Sequence, residues 1–452
     1  MSDTIVAIAT APGLAGVAIV RLSGADAWEL AAKLTVAPLV EPNRAELRAI
    51  RSKDGELIDR ALVLGFKAPK SYTGEDVVEF QCHGGTVTPR RILEAAIVAG
   101  ARLARRGEFT ERAFLHGKLD YDQAESVLDL VHAKTDRAAD AALAGLSGRK
   151  QRELKTLYDA ALEISSTLEH ALDVSEAELP ASFYEKLQGE IAAFKAKVAD
   201  AIRSRKETRL LRDGALVVLA GAPNAGKSSL LNALLKENRA IVSDVPGTTR
   251  DSIEVWMELE GFPIRLVDTA GLRETQDAIE GAGVRRSEEL IAQADIVLYL
   301  TPQSSSFSPN LPNLPNLLNL PNLPNLPQPS SFLPIHAKCD LGHGEGINVS
   351  AKTGEGLDAL KAEIVKKLET LEPPTDDPSL STLIEISSLL PSFFLLPPSP
   401  HPSSFLLPSS SFPLVLMANQ VRTIAEKLGS LIGATYSADL LDHLFSRFCV
   451  GK

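Results

Sequence analysis

The segment Gly221-Ala-Pro-Asn-Ala-Gly-Lys227-Ser228 limits what this chain can fold into more than any other stretch. It matches G-x-x-x-x-G-K-[ST], a loop whose backbone N–H groups wrap phosphates. Such a loop needs a strand before it and a helix after it. The apolar run Ala215 to Ala220 predicts the strand, and Ser229 to Leu235 predicts the helix. The helix N-terminus adds a favourable dipole to a bound phosphate. Lys227 is expected to reach the β- and γ-phosphates, and the Ser228 hydroxyl to ligate Mg2+. A chance Gly-rich turn is the plain alternative, and the flanking strand and helix argue against it.

Four more short motifs follow in order. Gly247-Thr-Thr-Arg-Asp251 supplies threonines, of which Thr249 is favoured as a second Mg2+ ligand. Asp268-Thr-Ala-Gly271 follows the strand-like Ile264 to Val267, placing an Asp near the metal and a Gly N–H at the γ-phosphate. Ala337-Lys-Cys-Asp340 and Ser350-Ala-Lys352 read as a guanine pocket in which Asp340 accepts from the base's N1–H and N2–H. Each motif alone is weak. Together, in this order, they point to a GTPase. Three positions depart from the pattern. Ala337 stands where Asn is usual, and Pro334 stands where a central strand is expected. Leu272 follows the D-x-x-G, where a Gln would orient water. No arginine finger is identifiable. Asn224 offers a side-chain oxygen beside the phosphates that could hold a monovalent cation; the bland reading is a turn residue.

The formal net charge is −11, so no global field draws the chain to nucleic acid, and any RNA contact must use a local patch or a partner. Cys82, Cys339 and Cys449 are too scattered for a disulfide framework or a zinc site, which fits a reducing cytoplasm. Thr4 to Leu22 is apolar but interrupted by Pro12, Gly13 and Gly16, so a strand–turn–strand is expected rather than a signal peptide or membrane span. Short β-like runs (5–9, 17–22, 61–66, 77–82) and one helix near 89–98 predict an α+β start. From Asp120 the period becomes helical: Ala124, Val127, Leu128, Val131, then Leu154, Leu157, Ala161, Leu168 and Leu172. Helix returns at Val421, Ile424, Leu428, Leu431 and at Leu440, Leu441, Leu444, Phe448, with Ser437 as N-cap and Asp439 in the first turn. Residues 303–334 and 387–413 are Pro-rich and of low complexity, at a density that forbids helix and central strand alike.

The chain also carries Asp3-Thr-Ile-Val-Ala-Ile-Ala-Thr10, Val20-Arg-Leu-Ser-Gly24, Tyr72-Thr-Gly-Glu-Asp76 and Cys82-His-Gly-Gly85. Gly107-Glu-Phe-Thr110, Arg112-Ala-Phe-Leu115, Gly117-Lys118 and the terminal Phe448-Cys-Val-Gly-Lys452 complete the set. With these motifs the chain resembles the MnmE (TrmE) tRNA-modification GTPases at its start, centre and extreme end. The resemblance implies an α/β P-loop GTPase domain inserted in an α-helical domain, preceded by an α+β N-terminal folate-binding domain. The expected boundaries are 1–118 for the folate-binding and dimerisation domain, 119–214 and 371–452 for the two helical parts, and 215–370 for the GTPase domain.

That resemblance also implies an activity. The family acts as a homodimer with an FAD-dependent partner, MnmG (GidA), in a heterotetramer. It modifies the C5 position of tRNA wobble uridines with aminomethyl or carboxymethylaminomethyl groups, taking the carbon from a 5,10-methylene- or 5-formyl-tetrahydrofolate. Carried onto this sequence, GTP is held by Asn224, Ala225, Gly226, Lys227, Ser228 and Ser229, and by Ser243, Asp244, Val245, Pro246, Gly247 and Thr248. Asp268, Thr269, Ala270, Gly271, Lys338, Asp340, Ser350, Ala351 and Lys352 complete the GTP set. Ser228 and Thr249 bind Mg2+, and Asn224, Ser243, Val245 and Thr248 bind K+. Glu280 is the implied general base on water, and Cys449 the thiol of the modification step; without the family they read as a surface Glu and an apolar plug. Arg21, Glu79, Lys118 and Lys452 are the implied folate contacts, cations suiting the glutamyl tail and Glu79 the pterin's donor edge. Two other readings stand beside this one. The first is a ribosome-assembly GTPase, which needs no folate-like site. The second is a dimeric folate-binding module whose GTPase domain is impaired by Ala337 and the Pro-rich stretches.

Overall fold

The computed structural model describes residues 3–38, 41–174, 178–180, 182–221, 224–237, 240–241, 254–268, 289–301, 332–342, 346–371, 377–390, 411–432, 441 and 444–451. Contacts divide the chain into two units, one of residues 1–131, 145–151 and 433–452, the other of 132–144 and 152–432.

The first unit is built on β1 (Ile5–Ile8), β2 (Val17–Ser23), α1 (Ala27–Thr35), β3 (Ala45–Arg51), β4 (Leu57–Phe66) and β5 (Val77–His83). α2 (Val87–Ala99), β6 (Arg102–Leu103), α3 (Glu108–Leu115) and α4 (Tyr121–His132) follow. The six strands form one sheet in the order β3-β4-β5-β2-β1-β6. Alternation sends Val20, Leu22, Val78 and Phe80 to a core shared with Leu30, Leu34 and Ile92 of α1 and α2. The intervening residues, Arg21 and Glu79 among them, therefore face away from α1 and α2. The predicted strand–turn–strand is β1 and β2, and the predicted helix lies inside α2. α1, β3 and α3 were not expected. α3 hides its period because two charged residues, Glu108 and Arg112, are buried alongside Phe109 and Ala113.

Those buried charges form a network. Arg112 Nη1 donates to Glu75 Oε2 at 2.9 Å and to the Asp3 carbonyl at 3.0 Å. Its Nη2 donates to Asp3 Oδ1 at 3.0 Å and to Glu108 Oε1 at 3.1 Å. Glu75 also accepts from Ser23 Oγ at 2.8 Å, and Glu108 from the Arg105 N–H at 2.7 Å. Motif residues at both ends of the domain are thus tied through one guanidinium. The hydrogen bond from Arg102 holds the Asp3 carboxyl down at about 2.

The second unit begins with α5 (Asp136–Leu146), whose end crosses into the first, then α6 (Arg149–Asp173) and α7 (Phe183–Asp213). β7 (Ala215–Gly221), α8 (Lys227–Glu237), β8 (Ala240–Ile241), β9 (Glu254–Leu259) and β10 (Phe262–Asp268) come next. β11 (Ile296–Thr301), β12 (Phe332–Ala337), β13 (Ile347–Val349), α9 (Leu357–Thr370), α10 (Pro378–Leu389) and α11 (Ser411–Ile432) complete it. Seven strands order as β13-β12-β11-β7-β10-β9-β8, with β7 parallel to both neighbours. Burial of β7 on both faces explains its unbroken apolar sequence. α7 reaches β7 through Gly214 alone, at φ 72°; a side chain there would strike the Trp256 ring at 2.6 Å. Helices α6, α7, α10 and α11 bury Leu157, Leu168, Leu187, Val198, Ile386 and Leu428 in a separate core. Leu172, expected in that series, is exposed.

Two expectations need correction. The strand through Pro334 forms: β12 pairs in parallel with β11 from Phe332 to His336. The Pro334 carbonyl faces Gly346, and β13 pairs only from Ile335 onward, so the missing N–H lies outside both ladders. The Pro-rich stretch 387–413 is likewise trimmed by helix, since α10 runs to Leu389 and α11 starts at Ser411 with Pro413 in its tolerant first turn. The predicted Ser437 cap and Leu440 lie outside the described residues.

Removing the shared guanidinium strands the carboxylates of Glu75 and Glu108, 10% and 3% exposed. Arg112→Ala is expected to cost the N-terminal unit about 3–5 kcal/mol, read as an earlier unfolding transition of that unit in denaturant.

Candidate functional site

The carboxyl ends of β7, β10, β11 and β12 converge where the P-loop turns. Gly221 sits at φ 141° with its Cα against β11; a Cβ would lie 2.4 Å from the Leu300 carbonyl. Asn224 adopts φ 62° and Gly226 φ 101°, so the loop coils before α8 begins at Lys227. Lys227 is buried, and its Nζ donates to the Gly221 carbonyl at 2.9 Å, folding the ammonium back over the loop. Ser228 Oγ donates to Asp268 Oδ2 at 2.6 Å, and Asp268 is fully buried at the end of β10. A hydroxyl and a carboxylate held together at a phosphate loop are hard oxygen donors that fit Mg2+.

A cavity of about 340 Å3 opens beside this loop. It is lined by Gly226 and Ser229 from the loop and α8, by Ala337 at the end of β12 with Lys338 and Asp340 after it, and by Ser350 with Ala351 and Lys352 after β13. Three motifs separated in sequence therefore share one cavity. Asp340 Oδ1 accepts from Ser350 Oγ at 2.7 Å, which aims the carboxylate. Lys338, at φ 62°, donates from Nζ to the Asn224 carbonyl at 3.0 Å and ties the base side to the phosphate side. Ala337 presents only a methyl group where an amide was expected. A larger cavity of about 900 Å3, lined by Arg137, Arg209, Leu210, Phe262, Asp295 and Leu371, touches none of these motifs.

In the first unit, Arg21 on β2 and Glu79 on β5 stand in register, and Arg21 Nε donates to Glu79 Oε1 at 2.8 Å. The Arg21 guanidinium lies 5.8 Å from the Tyr72 ring centre and 5.6 Å from that of Phe109. Tyr72 is fixed by a 2.8 Å hydrogen bond between its hydroxyl and that of Thr110. Lys118 donates to the Pro69 carbonyl at 3.1 Å, at the start of the loop that carries Tyr72.

The C-terminal tail docks in this same unit. Arg106 and Val450 form an isolated antiparallel bridge. Gly451, at φ 104°, packs where a Cβ would lie 2.4 Å from the Ile8 carbonyl. Ile8 is next to Ala7, the register partner of Arg21, so the tail ends beside the strand that faces the Arg21–Glu79 pair. Cys449 is exposed there, whereas Cys82 and Cys339 are buried. Desolvation pushes the Cys82 thiol up to about 11. The contact that seats the tail was not legible in the sequence.

Ser243, Asp244, Val245, Pro246, Gly247, Thr248, Thr249, Thr269, Ala270, Gly271, Glu280 and Lys452 lie outside the described residues. Of the K+ set, only Asn224 is described. Among the described residues, no helix is long and apolar enough to cross a membrane.

A family model described as the GTP-binding protein TrmE N-terminus matches residues 4–118, and one described as the MnmE helical domain matches residues 122–449. A protein of Symbiobacterium thermophilum named tRNA modification GTPase MnmE is 39% identical over 474 residues, covering 100% of this chain and 99% of its own. One of the same name from Dichelobacter nodosus is 40% identical over 457 residues, again covering 100% and 99%. Among solved structures, the G domain of the T. maritima FeoB iron transporter covers 34% of this chain and 98% of its own at 25% identity. Its TM-score is 0.24.

Gly451→Ala is expected to lift the tail from β1. A spin label on Cys449, the exposed cysteine, should become markedly more mobile, while an unchanged spectrum would mean that the tail is seated by other contacts.

Proposed function

The chain belongs to the MnmE (TrmE) family of tRNA modification GTPases, and on that premise we propose a K+-stimulated GTPase that works on tRNA wobble uridines with a folate carbon. The observation that carries the nucleotide half is the shared cavity, where the P-loop, Asp340 and the Ser350-Ala351-Lys352 motif meet. Lys227 neutralises the β- and γ-phosphates. Ser228 would hold Mg2+ with Asp268 close by, and Thr249 would join it when the γ-phosphate is present. An ion held there would supply positive charge to the phosphate oxygens as charge develops on them. Asn224 with Ser243, Val245 and Thr248 would place K+ where an arginine finger's charge is otherwise needed. Glu280 orients the attacking water in a site whose Leu272 cannot.

The three-part division follows: a folate-binding and dimerising part to residue 118, a helical part in two pieces, and a GTPase part between them. Arg21 was expected at the glutamyl tail, but it is paired with Glu79 at 2.8 Å, so the two serve one end of a ligand together. A 2-amino-4-oxo-pteridine edge offers donors to the carboxylate and an acceptor to the guanidinium, which suits that pair. Lys118 is left for the anionic tail. Leu47 and Leu62, register partners exposed on the sheet, support a second copy of this chain docking on that surface. The carbon is passed to uridine C5 with the FAD-dependent MnmG partner in a heterotetramer, with Cys449 acting in the modification step rather than in hydrolysis.

Ala337 favours the impaired-module reading, and the rest of the cavity opposes it. The ribosome-assembly reading does not account for the match over residues 4–118. GTP turnover by the purified chain in KCl against NaCl decides the matter. Faster turnover in K+ is expected, and Glu280→Ala should slow it with little change in GTP binding. Absence of turnover in both salts, with an intact dimer, would overturn the GTPase reading. Ala337→Asn is expected to tighten GDP binding about tenfold by restoring one base-edge hydrogen bond, measured by calorimetry.

A further inference from the structure

We propose that Arg106 and Arg447 form a phosphate-docking patch for an RNA strand at the rim of Cys449. Their placement is fixed by the backbone. Arg106 bridges to Val450, the residue after Cys449. Gly107, at φ 67°, lies where a Cβ would be 2.5 Å from the Phe445 carbonyl, so this loop is pressed onto the last turn of the chain. Arg447 sits in that turn, its N–H on the Leu444 carbonyl at 3.3 Å and that of Phe448 on the Phe445 carbonyl at 3.2 Å. Phe448 is fully buried and anchors the turn, leaving Arg447 and Cys449 exposed on either side of it.

Among the described residues, the neighbouring arginines of this loop and of α3 are already engaged. Arg102 is held by Asp3 and Glu108, Arg105 by Glu111 at 3.0 Å, and Arg112 by Glu75 at 2.9 Å. Arg106 and Arg447 are exposed, and among the described residues no side-chain hydrogen bond or ion pair holds either guanidinium. In a chain of net charge −11, such a pair is a local attractor for a polyanion. Guanidinium forks grip phosphates bidentately and set register without reading sequence. Val450, bridged to Arg106 and adjacent in sequence to Cys449, is 45% exposed, giving apolar surface against which an unstacked base can lie. Phosphates plus an unstacked base describe a single-stranded RNA loop rather than a duplex.

The inference rests on the tRNA reading above and adds the surface that receives the strand. The test is the salt dependence of unmodified-tRNA binding to the full chain, wild type against Arg106→Gln/Arg447→Gln, by fluorescence anisotropy from low to moderate KCl. Each lost phosphate contact should flatten the slope of log affinity against log salt by about 0.7–0.9, so the double variant should lose about 1.4–1.8 and each single variant half of that. GTP turnover and labelling of Cys449 should stay at wild-type rates, showing that both units remain folded. Equal slopes in wild type and double variant would overturn the patch while leaving tRNA as a substrate. A wild-type chain that binds no tRNA would overturn the patch together with the reading beneath it. An unchanged RNA slope with weakened binding of an acidic protein would assign the two arginines to a protein partner and overturn the RNA proposal.

Discussion

A strand buried on both faces is the constraint from which the nucleotide site follows. β7 has no solvent-facing side, so every residue from Ala215 to Ala220 must be apolar, and its two parallel neighbours fix its height in the sheet. That height sets where Gly221 leaves the sheet and where α8 starts. It also sets where the ends of β10 and β12 deliver Asp268 and Lys338. The polar groups of the site are few and short-ranged. They work because an apolar core holds their backbones in place, as the contact of Gly221 with Leu300 shows at its tightest point.

The N-terminal unit solves a different problem. Its sheet is covered by α1 and α2 on one side, and on the other it must keep charged residues in a defined array. Arg112 does this from the interior by joining the chain's start, the loop after β4 and helix α3 in one network. The same loop carries Tyr72 beneath Arg21. Buried ion networks add little net stability for their desolvation cost, but they are unforgiving of the wrong arrangement. Specific placement is what a site built from loop residues requires.

Much of the nucleotide site was legible because its chemistry is local: a loop, a strand end and a base pocket each announce themselves within a few residues. The fold around it was legible where the pattern was clean, as in the unbroken apolar run of β7 and the helical period of the bundle. It was obscured where side chains broke the period for structural reasons. α3 looks polar because two of its buried residues, Glu108 and Arg112, are ionic, and β12 looks broken because a proline's missing donor falls beyond the end of β13. Long-range docking was not legible at all. Nothing in Phe448-Cys-Val-Gly-Lys452 says that Gly451 will rest on Ile8, more than four hundred residues earlier in the chain.

The single-residue joint at Gly214 has a mechanical consequence. A helix of 31 residues ends there and the phosphate-binding strand begins at the next residue, with Trp256 packed against the joint. At about 1.5 Å per residue the helix is a rod of roughly 46 Å. With no slack between rod and strand, a tilt of one degree at the strand sweeps the far tip through about 0.8 Å, by the same length. Motions too small to notice around a phosphate thus become displacements of side-chain size at the other end of the bundle.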